Sequence, residues 1–150
     1  MRKSIFGLSL LALALIAAAC GGGSLEGEEV LVFGAPSTES GDGKAIQEVF
    51  DDFTEKTGII ATYVGSENFE SEIQVQLSSG DVPDIIYWPQ PGGVVDAAER
   101  GLLTPIADLG IDIDAYKAAY SPYLVSLGTV DGVVYGGANA VNLKSIVWYQ

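Results

Sequence analysis

The chain has 150 residues, 48% of them hydrophobic and 18% charged, a balance that supports a packed domain and argues against disorder. Twenty acidic residues against 7 basic ones give a formal net charge of −13, a surface that repels nucleic acid and anionic headgroups. Histidine is absent and cysteine occurs once, so a Ser-His-Asp triad, a histidine metal site and an internal disulfide are excluded.

The chain opens with Arg2 and Lys3, an apolar run from Ile5 to Ile16, and the small residues Ala17, Ala18 and Ala19 before Cys20. Positive charge, apolar core and small residues in that order form a secretory leader. The apolar run is short of the ~20 residues that a membrane span needs. Cys20 is followed by Gly21-Gly22-Gly23-Ser24, and this arrangement resembles a bacterial lipobox, in which the leader is cut before an acylated cysteine. Ala17 stands where such boxes usually carry Leu or Val. An ordinary cleaved leader with a chance cysteine is the competing reading. The expected division is a leader over 1–19, an acylated Cys20 with a flexible acidic tether through residue 29, and a folded part over 30–150. Several acyl chains, each burying many methylenes at ~0.8 kcal/mol apiece, would hold the protein on the extracytoplasmic side of a membrane.

Val30 to Phe33 is an apolar run that reads as a strand buried on both faces, and Ser37 to Gly43 reads as a polar loop. Lys44 to Lys56 carries Ile46, Val49, Phe50 and Phe53 at helical spacing, with Gly58 as its stop. Ile59 to Val64 is a second strand. Glu67 to Ser79 is a second helix, with Phe69, Ile73 and Leu77 on one face and Gly80 closing it. Asp84 to Trp88 is a third strand, entered through Val82-Pro83. Strand and helix alternating at this spacing predict an α/β fold with a mainly parallel sheet flanked by helices. Farther on, the pattern predicts a short helix over Val94 to Gly101 and another from the Ser121-Pro122 cap through Leu127. Thr129 to Tyr135 reads as a tight hairpin with Asp131-Gly132 at its turn, and Lys144 to Tyr149 as a buried strand. That strand runs into the last residue, so the sequence reads as a fragment of a longer chain.

Open α/β sheets bind ligands beyond the carboxyl ends of their strands. Those ends lead into Pro36–Gly43, Gly65–Asn68 and Pro89–Gly93. Glu39, Ser66, Asn68, Phe69, Trp88 and Gln90 are the candidate ligand residues on these segments. Hydroxyls, amides and a carboxylate beside aromatic rings suit a sugar, whose hydroxyls need directional partners and whose C–H faces need an apolar platform. Each candidate has a plainer alternative. Glu39 equally fits a solvated loop charge, Phe69 shares its helix face with Ile73 and Leu77 and so fits a core, and Trp88 fits strand-end packing. Gln90 lies between two prolines, which rigidify its loop and reduce the entropy lost on binding. Asn139 and Asn142 are weaker candidates, and Trp148 and Tyr149 fit a core better than a site. Neither Gly21-Gly22-Gly23 nor Gly41-Asp42-Gly43 matches a phosphate loop, and Asp51-Asp52 lies on a polar helix face.

The lipobox, the strand–helix repeat, the Gly80-Asp81-Val82-Pro83-Asp84-Ile85 element and the Asp131-Gly132-Val133-Val134-Tyr135-Gly136 hairpin together resemble the extracellular solute-binding proteins of family 1. Trp88-Pro89-Gln90-Pro91-Gly92, Tyr120-Ser121-Pro122 and Leu127-Gly128-Thr129-Val130-Asp131-Gly132 look most like the α-glucoside-binding branch. The resemblance implies a periplasmic-binding-protein-like lobe, incomplete because the second lobe is missing, that closes by a hinge on a small carbohydrate. It implies a monomer that delivers the sugar to ABC permease subunits, with no catalysis, cofactor, metal or nucleic acid. Gly137-Ala138 and Gln150 depart from the family pattern, at positions where Pro and Asn are common. With half the cleft missing, the 150-residue chain is expected to bind ligand weakly or not at all.

Other readings remain. A polyamine receptor fits the acidic charge, whereas an oxyanion receptor is disfavoured because Arg100 is the only arginine after the leader. A secreted glycosidase would need two facing carboxylates in a cleft. A purely structural lipoprotein leaves the loop chemistry at the strand ends without a purpose.

Overall fold

The computed structural model describes residues 25–141. The leader, Cys20 and the Lys144–Tyr149 strand therefore lie outside the described residues. Strands β1 (Glu29–Gly34), β2 (Ile60–Gly65) and β3 (Ile85–Tyr87) form one parallel sheet in the order β2-β1-β3. Helix α1 (Gly41–Thr57) joins β1 to β2, and α2 (Phe69–Ser79) joins β2 to β3. Helix α3 (Pro91–Glu99) follows β3, and then come a short 3-10 turn (Ile106–Leu109), α4 (Ile113–Ala119) and α5 (Pro122–Ser126). The antiparallel hairpin β4 (Thr129–Val130) and β5 (Val133–Val134) completes the described part. It turns through Asp131 at φ 50° and Gly132 at φ 83°, the left-handed pair that an Asp-Gly hairpin requires.

The alternation of strand and helix is as the sequence implies, and Gly58 and Gly80 cap α1 and α2 in left-handed conformations at φ 75° and 80°. The chain is anchored earlier than Val30. Gly27 N–H donates to the Gly58 carbonyl and Ile60 N–H to that of Glu28, both at 2.8 Å, so residues 27–29 belong to the fold and not to the expected tether. Helix α1 also starts three residues early. Ser40 Oγ accepts from Gly43 N–H at 3.0 Å, which draws the expected loop residues Gly41-Asp42-Gly43 into the helix. Pro91 occupies the first turn of α3, where its missing N–H costs nothing, so α3 begins before the expected Val94.

Residues paired across a parallel ladder share a face, so Phe33 and Ile86 lie on one side of the sheet and Val32, Tyr63 and Ile85 on the other. On the first side Phe33, Phe69, Ile73, Leu77 and Ala97 form one buried cluster, which docks α2 and α3. On the second, Val32, Ala61 and Tyr63 are buried.

Helix α1 turns only part of its expected apolar stripe inward, with Ile46 and Phe50 partly buried. Val49 is 65% exposed and Phe53 41%, while Gln47 and Thr54 turn toward β2. The reason is the unpaired edge of that strand. Gln47 Oε1 accepts from Tyr63 N–H at 2.7 Å, Gln47 Nε2 donates to the Ala61 carbonyl at 3.2 Å, and Thr54 Oγ1 accepts from Ala61 N–H at 3.2 Å. Leaving such groups unmet costs about 1–3 kcal/mol each when they are shielded from water, comparable to burying a valine.

Candidate functional site

The three strands finish level. Gly34 of β1 pairs with Gly65 of β2 and with Tyr87 of β3, so the segments after them share one rim, with the β1 segment in the middle. At ~4.8 Å between neighbouring strands the rim spans roughly 10 Å. Each segment leads into a helix whose amino end stands at the same rim.

Glycine makes the rim compact. A Cβ at Gly65 would overlap the Pro36 carbonyl oxygen, and one at Gly43 would overlap that of Ser37. Backbone contacts then take over. Ser66 N–H donates to the Gly34 carbonyl at 3.0 Å and Thr38 N–H to that of Gly65 at 3.2 Å, while Thr38 Oγ1 accepts from Gly65 N–H at 2.7 Å. Tyr63 Oη donates to the Pro36 carbonyl at 2.7 Å. Burial, with the nearby Tyr87 phenol adding to it, pushes the Tyr63 phenol up to about 12.

The candidates divide by placement. The Glu39 side chain is 90% exposed and lies 4.0 Å from Lys44 Nζ, an ion pair so open to solvent that it stabilises little. Ser66 Oγ accepts from Asn68 N–H at 3.1 Å and shapes the turn into α2. Asn68 and Gln90 occupy the N-cap positions of α2 and α3, yet neither side chain caps its helix. By contrast Ser40, Asp112 and Ser121, the N-caps of α1, α4 and α5, all bond their own helices. Both side-chain amides are exposed and have no hydrogen-bond partner among the described residues.

Phe69 does not reach the rim surface. It is 1% exposed, its ring 5.3 Å from Phe33 and 6.0 Å from Trp88, because Ile73 and Leu77 on its helix face carry it into the core. A direct ligand contact for Phe69 is therefore replaced by support for Trp88 from beneath. Trp88 is partly buried, edge-on to Phe69, and its indole lies against Gly93, where a Cβ would overlap Nε1. The expected third loop is correspondingly short, since residues 91–93 are already helix. Thr38, one of the hydroxyls that the first strand-end loop offers, and Tyr63, which the sequence marks only as a strand residue, hold the rim together. Asn139 is exposed, and Asn142 lies outside the described residues.

Among the described residues, one open surface groove is lined by Gln74, Val75, Ser78 and Ser79 and another lies between α4, α5 and the hairpin, and neither includes a rim residue. Among the described residues no cluster of three or more carboxylate or cysteine side chains could hold a metal ion.

Comparison with known proteins agrees with this architecture. The family model for bacterial extracellular solute-binding proteins matches residues 37–144. The osmoprotective compounds-binding protein GgtB of Synechocystis sp. is 32% identical over 150 residues, covering 97% of this chain and 35% of its own length. The α-glucosides-binding periplasmic protein AglE of Rhizobium meliloti is 35% identical over 135 residues, covering 85% of this chain and 29% of its own. The chain thus spans about a third of the length of these relatives. With the family model matching well over half of its residues, and its strand ends forming a polar wall, the chain belongs to the bacterial extracellular solute-binding proteins.

Proposed function

We propose that the chain supplies one wall of a two-lobed receptor that captures a small carbohydrate, of α-glucoside type, and delivers it to the permease of an ABC importer. The observation that carries this reading is the pair of free amides, Asn68 and Gln90, at the uncapped starts of α2 and α3. They flank the central segment bearing Glu39, on a rim wide enough for a small oligosaccharide. Planar amides and a carboxylate match sugar hydroxyls, and Trp88 beside them offers an apolar surface for sugar C–H groups. The similarity to an α-glucosides-binding protein supports this substrate class. Binding, closure and release are the whole of the action, with no bond made or broken and no cofactor required.

The receptor acts as a monomer on the extracytoplasmic side, held at the membrane by acylation of Cys20. Metabolic labelling with a radioactive fatty acid checks the anchor: label retained by Cys20→Ser contradicts it. Calorimetry of the full-length protein against maltose and trehalose checks the substrate class. Binding is expected, with Asn68→Ala and Gln90→Ala each weakening it about tenfold, as for a lost hydrogen bond to a buried polar partner. A protein that binds neither sugar contradicts the reading. A second solute class, osmoprotective compounds, is favoured by the name of the other relative and belongs in the same titration.

A further inference from the structure

We propose that Tyr63 is a positioning residue for the solute rim, holding the central segment Pro36–Ser40 in register with the Gly65–Asn68 segment beside it; this rests on the binding role proposed above. Tyr63 is 2% exposed, and its ring runs up the sheet between two glycines. A Cβ at Gly34 would come within 2.8 Å of Tyr63 Oη, and one at Gly65 within 2.8 Å of Cε1, so both strands give up a side chain to admit the ring. Tyr87 closes the side toward β3, edge-on at 6.3 Å. The strand position beneath is fixed too, because Tyr63 N–H donates to Gln47 Oε1 at 2.7 Å.

A phenylalanine would fill this space equally well. A buried hydroxyl is costly unless bonded, and the bond that this one donates, at 2.7 Å, goes to the Pro36 carbonyl. Proline has a fixed φ, so holding its carbonyl fixes the peptide plane that launches Ser37 to Ser40, including Glu39. Thr38 repeats the device one step farther out, bonded to both the N–H and the carbonyl of Gly65. Tyr63 and Thr38 thereby tie two of the three rim segments to each other before any solute arrives, which reduces the ordering cost of binding.

The test compares Tyr63→Phe with Val32→Ala in the full-length protein. Val32 is a buried neighbour on the same sheet face, and its truncation lowers global stability while keeping the hydroxyl bond. For Tyr63→Phe, amide exchange should accelerate at residues 37–40 and remain unchanged in α4 and α5, and maltose affinity should fall about fivefold through faster dissociation. Val32→Ala should leave affinity and rim exchange at the wild-type level under native conditions. In alkaline titration followed by tyrosine absorbance, Tyr63→Phe should also remove a phenol ionising near pH 12. Wild-type affinity and exchange in Tyr63→Phe, or equal losses in both variants, would overturn the proposal. If the unmodified protein binds no sugar, the binding role fails by itself, and the exchange comparison still decides whether Tyr63 holds the rim.

Discussion

Strands β2 and β3 both lie at the outside of the three-stranded sheet, yet their outer edges differ. The free backbone of β2 is met by Thr54 at Ala61, by Gln47 at Ala61 and Tyr63, and by Thr38 at Gly65. No strand among the described residues pairs with the far side of β3, and Ile85 there is 52% exposed. An edge closed by local side chains needs no further strand, whereas an open apolar edge is a template for pairing. The β1–β2 side of the rim is thus held by its own side chains, and Trp88 and Gln90 stand on the side whose outer edge has no strand partner among the described residues.

This difference can be broken most severely at Gly65. Gly65→Ala forces a Cβ into the Pro36 carbonyl, and a loss on the order of 3 kcal/mol is expected in urea unfolding. Gln47→Ala should cost about 2 kcal/mol, because it leaves both the Ala61 carbonyl and Tyr63 N–H without a partner, and the Tyr63 amide should lose its exchange protection. On the β3 side, Asp84 Oδ2 accepts from Leu31 N–H at 2.8 Å in an exposed setting, so Asp84→Ala should cost only about 1 kcal/mol. Asp84→Asn, which keeps an acceptor, should restore most of it. Smallest is the Glu39–Lys44 pair, where Lys44→Ala should change stability by less than about 0.5 kcal/mol. A larger loss at Asp84 than at Gln47 would mean that the β1–β3 seam depends more on side-chain bonding than the outer edge of β2 does.

Alkaline pH probes the closed side separately. The Tyr63 phenol is raised above its ordinary value of 10.0 to about 12 by burial and by Tyr87, so the fold favours its protonated form. The stability this contributes is complete below pH 10 and lost as pH climbs through 12. Unfolding midpoints measured at intervals over that range should fall more steeply for the wild type than for Tyr63→Phe.

Much of the fold was legible because it rests on local signals. Gly58 and Gly80 stop their helices, Asp131-Gly132 turns the hairpin, and Ser121-Pro122 starts α5, each through chemistry carried within a few residues. The face of α1 was legible only in part. Apolar periodicity points to Ile46, Val49, Phe50 and Phe53; the first and third are partly buried, but the need of β2 for donors and acceptors turns Gln47 and Thr54 inward and leaves Val49 and Phe53 exposed, and that need exists only once strand order is known. The same holds for the site. Asn68 and Gln90 could be nominated as polar residues at strand ends, whereas Phe69 passes from candidate to core because helix periodicity outweighs its nearness to the loop. Tyr63 looked like one more strand residue until Gly34, Gly65 and the Pro36 carbonyl were placed around it.

Hydrogen exchange of the full-length protein, with and without a saturating α-glucoside, tests the rim as a binding wall most directly. Slower exchange is expected together in residues 37–40, 66–69 and 88–91, with α4 and α5 unaffected. Slowing confined to α4, α5 or the hairpin, with those three segments unchanged, would contradict it.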